Sequence, residues 1–346
     1  MLRTIRFCVG TLLCVAALAF TTAAFAQSYS ILEVPSLNGG FNQGNGINAS
    51  GHVAGTSAGS PEQGFLYNGN TVIGIGVLPV PPGNSLYSEA WGINSSDELV
   101  GETQNGSGFA MLYSGGKLVS LAPKGQALSY AVGINKSGQV VGYYATLSNQ
   151  YSAFLWTPKQ PNGTTGTLTT IANQLGGTYS VGAGINDSGQ IVGSASLANN
   201  NVHAFLYSAG KMTDLGTLGG IDSMANAINN AGQVVGWSDL SSETGHAFLY
   251  SGGKTTDLGI LPTAKGSTAT SINNSGVIVG YAYYGSHVGQ RRAVIYTASG
   301  PVDLNTRIPA GSGWILLQAN GVNDAGQIVG TGLINNNIRA FLLTPQ

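Results

Sequence analysis

Acids predicted to lie in or near loops, outside the repeat pattern, are the residues best suited to catalysis. They are Glu62, Glu102, Asp222, Asp239 and Glu243. Hydrolysis of a glycosidic bond needs two carboxyl groups roughly 5 to 10 Å apart. Asp239 and Glu243 share one short segment and form the one close pair, so a glycan hydrolase or lyase would depend on them.

Aromatic and arginine side chains form a second group, and their types indicate binding. Tyr, Trp and Arg anchor protein interfaces, and flat aromatic rings also stack on sugar rings. The alternative is that these rings only pack the segments around them. The predicted binding residues are Tyr143, Trp237, Tyr281, Trp314, Arg291 and Arg292.

The repeated polar residues are better explained by a structural role than by catalysis or metal binding. The run Asn186 to Gly189 has too few carboxylates for a calcium loop and is typical of a tight turn. The acid at Asp214 recurs in other copies and predicts a strand-edge or turn-capping role. His203 and His246 occupy equivalent points of neighbouring copies, too far apart to share a metal. We therefore expect no catalytic residue, no metal and no cofactor.

Seven internal repeats must position these residues. Each contains an Ile-Asn or Val-Asn pair, and the pairs lie about 46 residues apart, the period of a four-stranded propeller blade. A copy reads as strand a ending at the Asn, a turn, a β-branched strand b stopped by Gly, an aromatic strand c and a short strand d. The repeated asparagines are Asn48, Asn94, Asn135, Asn186, Asn229, Asn273 and Asn323.

The two ends of the chain predict a closed ring. The last copy stops after its strand c, and residues 31–37 align with a missing strand d. Small residues four and two positions before each Asn place strand a at the axis. The prediction is an all-β, seven-bladed β-propeller over residues 27–346, closed by an N-terminal strand. Its b–c and d–a loops share one face and vary, and variable loops on a rigid frame usually bind ligands.

The repeats also resemble a known family. His203-Ala204-Phe205 and His246-Ala247-Phe248, within Gly-Ile-Asn, Gly-Gln-Val-Val-Gly and Asp-Leu-Gly contexts, resemble the HAF repeats of bacterial secreted proteins. The resemblance covers nearly all of the chain after residue 26. It implies export and a repeat fold, without an established activity. Five copies lack the histidine, which argues against a shared histidine chemistry.

The first 26 residues predict a secretory signal peptide. Arg3 and Arg6 precede an apolar run, and Ala24-Phe25-Ala26 supplies a cleavage site. Both cysteines lie in this segment, so we expect a chain without disulfides. Cleavage leaves 11 basic and 14 acidic residues, a balance that argues against nucleic-acid binding. The predicted product is secreted, extracellular or periplasmic, and monomeric, with no membrane partner.

These observations favour a non-catalytic binding or scaffold module for polysaccharide or protein at the cell exterior. Two alternatives stay open. One is the extracellular glycan hydrolase or lyase that uses loop carboxylates on the variable face. The other is a purely structural surface or matrix protein, which binds no small ligand.

Overall fold

The computed structural model describes residues 27–78, 86–105, 108–122, 128–146, 150–242 and 244–346. The predicted signal peptide, Glu243 and most of residues 79–88, which the sequence predicts as one of the variable d–a loops, lie outside the described residues. Within those ranges the chain forms β-strands and two single turns of 3₁₀-helix, Val288–Gln290 and Leu304–Thr306.

The strands run in chain order through seven repeats. They are β1 (Tyr29–Glu33), β2 (Asn42–Ile47), β3 (Val53–Ser57), β4 (Gln63–Tyr67), β5 (Val72–Gly74), β6 (Leu86–Ile93), β7 (Leu99–Asn105), β8 (Gly108–Ser114), β9 (Lys117–Ser120), β10 (Ser129–Ile134), β11 (Val140–Ala145), β12 (Tyr151–Pro158), β13 (Gly166–Ile171), β14 (Gly176–Ile185), β15 (Ile191–Leu197), β16 (Val202–Ser208), β17 (Lys211–Asp214), β18 (Gly219–Ile228), β19 (Val234–Leu240), β20 (Gly245–Ser251), β21 (Lys254–Asp257), β22 (Gly266–Ile272), β23 (Ile278–Tyr283), β24 (Arg291–Thr297), β25 (Gly300–Asp303), β26 (Trp314–Val322), β27 (Ile328–Ile334) and β28 (Asn337–Pro345).

The described strands pair into seven four-stranded antiparallel sheets, which form a ring. Six sheets take four consecutive strands each, from β2–β5 (blade 1) to β22–β25 (blade 6). Blade 7 takes β26, β27 and β28, and β1 is its outer strand. The predicted seven-bladed β-propeller is confirmed.

Ring closure depends on the two ends of the chain. β1 pairs antiparallel with β28 in a register that sets Tyr29 opposite Pro345 and Glu33 opposite Phe341. Asn42, fully buried at the start of blade 1, bonds both ends, because its Nδ2 donates to the Val34 carbonyl and its Oδ1 accepts from the Ala340 N–H. The predicted closing strand is confirmed, and it covers the edge of β28 that would otherwise be free.

The core lies between the blades. Five phenylalanines of strand c are at most 1% exposed. Each packs in a hydrophobic cluster that combines residues of its own blade with residues of an adjacent blade. Burial of one such ring contributes roughly 1.5 to 3 kcal/mol. The five are Phe65, Phe154, Phe205, Phe248 and Phe341.

The prediction that glycine stops strand b is wrong. β11 continues through Gly142 to Ala145, where a Cβ on Gly142 would lie 1.9 Å from the Tyr130 carbonyl oxygen and 2.9 Å from the Phe154 ring. The glycine is required because strand a and the buried phenylalanine both approach the backbone closely. The next residue therefore lies in strand b and not in a loop, which applies to Tyr143, Trp237 and Tyr281.

Candidate functional site

Strand a of every blade lines a central channel, as the small residues predicted. At Gly46 a Cβ would lie 2.9 Å from the Trp91 carbonyl oxygen of the next blade, and at Gly92 it would lie 3.0 Å from that of Val132. Larger side chains would push the blades apart. The channel has two mouths, one at the a–b turns and one on the side of the b–c loops.

Seven asparagines form a closed ring at the a–b mouth. Each Nδ2 donates to the backbone carbonyl oxygen of the next asparagine, at 2.9 to 3.1 Å, and Asn323 completes the circle by donating to Asn48. Each Oδ1 accepts backbone N–H groups of its own turn, as in the bonds to Asn186 from Ser188 and Gln190. One amide thus fixes a turn and joins two blades.

The b–c mouth has a different lining. In each strand a the pairing register shifts between the fourth and second residues before the asparagine, which makes the third residue a β-bulge. Bulges redirect side chains and recur beside functional sites. The seven bulged residues all line this mouth, and they are Asn45, Trp91, Val132, Ala183, Asn226, Thr270 and Asn320.

Four bulged residues link neighbouring blades through hydrogen bonds. Asn45, Asn226, Thr270 and Asn320 donate side-chain hydrogen bonds of 2.6 to 2.9 Å to carbonyl oxygens of the following blade. Trp91 differs, because its Nε1 donates to Glu89 Oε2 of its own blade at 3.0 Å. Its indole lines both the channel mouth and an adjacent depression.

That depression, called the aromatic trough below, is the candidate site. It has a volume of about 410 Å³ and lies across blades 2, 3 and 4. Its rings form a continuous series in which the centroid distances are 6.1, 4.8, 5.3 and 6.3 Å. All five rings are half-buried, so each keeps an exposed part. In order they are Trp91, Tyr130, Tyr143, Tyr151 and Tyr179, and Glu102 and Val181 complete the lining.

Glu102 is the charged residue of the trough. It is only 6% exposed, and Tyr87 donates a short hydrogen bond to its Oε1. Its Oε2 is buried and has no hydrogen-bond partner among the described residues. Burial raises the pKa of Glu102, the Tyr87 hydrogen bond opposes this rise, and the negative charge of Glu89 adds to it. Glu89 stands directly opposite Glu102 on the neighbouring strand.

The tyrosines of the trough are partly shielded from water and share the depression with the carboxylate of Glu102. Burial raises the pKa of Tyr130 and of Tyr143, and the carboxylate of Glu102 raises both further. Burial likewise raises the pKa of Tyr179. A phenol next to a carboxylate resists ionisation, so these tyrosines stay neutral hydrogen-bonding groups.

The six predicted binding residues do not form one site. Tyr143 lies in the aromatic trough. Arg291 lies at the channel mouth, where its Nη1 donates to Gln318 Oε1 at 2.6 Å and its guanidinium covers the Tyr281 ring at 4.5 Å. Arg292, on the opposite side of the strand, donates to the Arg291 carbonyl oxygen at 2.6 Å.

The two remaining tryptophans contact their own blades and blade 6. The Trp237 indole occupies the space beside Gly245, since a Cβ there would lie 1.8 Å from its Nε1. Trp314 meets Phe341 edge to face at 6.2 Å and packs against the cluster between blades 6 and 7. Packing accounts for both positions.

Histidine and acid form a pair that joins strands c and d. His203 Nδ1 lies 2.9 Å from the Asp214 carboxylate, and His246 and Asp257 repeat the contact at 3.0 Å. Asp214 Oδ1 also accepts from the Gly216 N–H at 2.7 Å, which confirms the predicted turn cap. Blade 7 replaces the pair with Arg339 and Glu33, at 3.1 Å.

Sequence reasoning missed Trp91, Tyr130, Tyr151 and Tyr179. Trp91 stands between two positions that are small in every copy, and a variable residue between two small ones is the signal that could have found it. No period connects the three tyrosines, because they come from strands a and c of different blades. Only Tyr143 and Glu102 were singled out from the sequence.

The described residues offer neither a metal-binding cluster nor a membrane-spanning helix. No group of three or more His, Cys, Asp or Glu side chains there could hold a metal ion. No helix in the same ranges has the length and apolar character needed to cross a membrane.

Comparison with known proteins shows the fold alone. No protein-family model matches the sequence, and no curated protein does. Among solved structures, the gluconolactonase XC5397 from Xanthomonas campestris matches 94% of this chain and 93% of its own at 10% identity, TM-score 0.43. The Aleuria aurantia lectin matches 83% and 98% at 12% identity, TM-score 0.43. The Trypanosoma rangeli sialidase matches 92% and 57% at 12% identity, TM-score 0.47.

Proposed function

We propose that this protein is an exported, monomeric, non-catalytic propeller of the HAF-repeat type that binds polysaccharide through the aromatic trough. The observation that carries the proposal is the unbroken series of five half-buried rings from Trp91 to Tyr179. Phe154, which packs in the core, is fully covered, whereas the rings of this series each keep an exposed part and lie side by side in one depression.

The chemistry of the trough suits a sugar chain. Aromatic faces stack on the apolar faces of sugar rings, and the tyrosine hydroxyls together with Glu102 offer hydrogen bonds to sugar hydroxyl groups. The bulged residues of the adjoining mouth add amide and hydroxyl groups, among them Asn45, Asn226 and Thr270. An extended ligand could follow the rings from blade 4 to the channel mouth.

The test is retention of the purified protein on a panel of immobilised polysaccharides. Trp91→Ala and Tyr143→Ala should each weaken retention about tenfold or more, the loss typical of a central aromatic contact. Trp237→Ala serves as the matched comparison, because it removes the same side chain from blade 5. Loss of retention with Trp237→Ala and not with Trp91→Ala would instead locate the site at the residues predicted from sequence.

A hydrolase is the second candidate, because Glu89 and Glu102 face each other across neighbouring strands. Residues opposite each other in an antiparallel pair have Cβ atoms about 4.5 to 5.5 Å apart, a spacing compatible with the two carboxyl groups of a glycosidase. With a raised pKa, Glu102 would be the acid and Glu89 the nucleophile or base.

The two candidates differ in products. Analysis of released sugars from the same panel should find none if the trough only binds. Release of fragments that Glu102→Gln abolishes would establish the hydrolase. If the protein is neither retained on a polysaccharide nor releases sugars from one, a protein ligand or a structural role is favoured.

A further inference from the structure

The charges of the aromatic trough are of one sign. Its described lining residues include Glu102 and no Lys, Arg or His. Glu89 adds a second carboxylate next to the indole, since its Oε2 accepts from Trp91 Nε1 at 3.0 Å. A third acid, Glu62, lies nearby, since its carbonyl oxygen accepts a hydrogen bond from the N–H of Ser88, the residue before Glu89, at 3.1 Å.

The rings act in the same direction as the acids. The face of an aromatic ring carries negative charge density and attracts a cation within about 6 Å of its centroid. Trp91, Tyr130, Tyr143, Tyr151 and Tyr179 line one depression, so the ring faces that border it can act on the same cationic group. A carboxylate at the edge of such a cage strengthens the attraction, because charges interact more strongly away from water.

Glu102 provides an independent sign of a cationic ligand. The residue is more than nine-tenths buried, yet its Oε2 has no hydrogen-bond partner among the described residues. A buried carboxylate oxygen without a donor costs free energy of folding. Ligand N–H groups arriving in the trough would supply both the donor and the positive charge that this carboxylate lacks.

We propose that the aromatic trough selects a ligand that carries a protonated amine. Resting on the proposed function, the ligand class is a polysaccharide with unacetylated amino sugars. Uronic acid and sulfated chains are disfavoured, since their charge has the same sign as Glu89 and Glu102. Acetylation of the amine removes the positive charge and retains the sugar ring, so it separates the charge effect from stacking.

The experiment measures affinity of the purified protein by calorimetry for three probes. They are a β-1,4-linked glucosamine hexasaccharide, its fully N-acetylated counterpart and tetramethylammonium, at a pH where the glucosamine amines are protonated. We expect the glucosamine chain to bind about tenfold tighter than the acetylated chain, and added salt to reduce this difference. Glu102→Gln should abolish the preference, whereas the remote, exposed Glu33→Gln should keep it.

The outcomes separate the inference from the proposed function. Equal affinity for the two hexasaccharides would overturn the cationic preference and leave polysaccharide binding intact. Binding of tetramethylammonium that needs Glu102, without binding of either sugar chain, would support the cation site and overturn the polysaccharide function. Tighter binding of the acetylated chain, or a preference that survives in Glu102→Gln, would also overturn the inference.

Discussion

The two mouths of the central channel share one backbone pattern and differ in their side chains. At the a–b mouth all seven blades carry the same asparagine, and the seven side chains bond in a circle. At the b–c mouth the bulged position holds asparagine three times and tryptophan, valine, alanine and threonine once each. The a–b position is uniform because every copy bonds its neighbour there, whereas at the b–c mouth only four of the seven copies do so and the position varies.

Variation at the b–c mouth is concentrated in blades 2 to 4. Blades 1, 5, 6 and 7 use the bulged residue to hold the next blade. Blades 2, 3 and 4 have Trp91, Val132 and Ala183 there, and these are the blades that contribute to the aromatic trough. The candidate ligand site therefore lies at the part of the mouth where the bulged residues do not link neighbouring blades.

The largest effect should follow from breaking the asparagine ring. Asn186→Ala removes the bond to the Asn229 carbonyl oxygen and leaves the Gln190 N–H without its acceptor. The free energy of unfolding should fall by about 3 kcal/mol, since a lost buried bond leaves unpaired groups. Urea denaturation measures it. Asn230→Ala, at the exposed neighbour, should cost below about 1 kcal/mol, and equal losses in the two variants would contradict the ring's importance.

A smaller loss should follow at the opposite mouth. Asn226→Ala removes one partly buried hydrogen bond, from Nδ2 to the Ala269 carbonyl oxygen at 2.8 Å. The expected loss is about 1 kcal/mol, the net contribution of a typical hydrogen bond, in the same urea assay. A loss as large as that of Asn186→Ala would mean that the two mouths contribute alike to stability.

The reverse substitution should stabilise the protein. Ala183→Asn places an amide where blades 1, 5 and 7 have one, within reach of the Ala225 carbonyl oxygen by analogy with Asn226 and Ala269. We expect a gain of about 0.5 kcal/mol, measured as a higher urea midpoint at unchanged slope. Ala183→Val, which has no hydrogen-bond donor and is the residue that blade 3 has at this position, is the control. Destabilisation by the asparagine would show that blade 4 does not tolerate the shared geometry.

The smallest change in the free energy of unfolding should come from Glu102→Gln. The hydrogen bond from Tyr87 already offsets part of the free-energy cost of burying the carboxylate. Burial raises the pKa of Glu102 above its ordinary 4.5, so between the two values the folded chain holds a proton that the unfolded chain has released. Stability therefore falls as pH rises through this range, and the loss is complete above the folded-state pKa. Glu102→Gln should be more stable than wild type near neutral pH and lack this dependence.

Urea unfolding over a pH series tests the point, with Glu33→Gln as the exposed control. If the stability of Glu102→Gln falls with rising pH in parallel with that of the wild type, Glu102 is not the group that causes the pH dependence.

The blades themselves could be predicted from the sequence. The spacing of Asn48 to Asn323 gave the period, the β-branched and aromatic runs gave strands b and c, and residues 31–37 gave the closing strand. Local signals sufficed because every blade repeats them. The glycine of strand b was misinterpreted, because Gly142 is required by contacts with Tyr130 and Phe154, and no contact between strands is visible in a single run of residues.

The amino-acid sequence by itself determined the seven-bladed ring, the strand at its axis and the face with variable loops. The tertiary structure alone decided where a ligand site could lie. Trp91 reaches the trough through a bulge, and Tyr130, Tyr151 and Tyr179 meet it from other strands and blades. The physical reason is that periodic patterns encode a shared backbone geometry, whereas a site depends on side chains that are distant in sequence and adjacent only after the ring has closed.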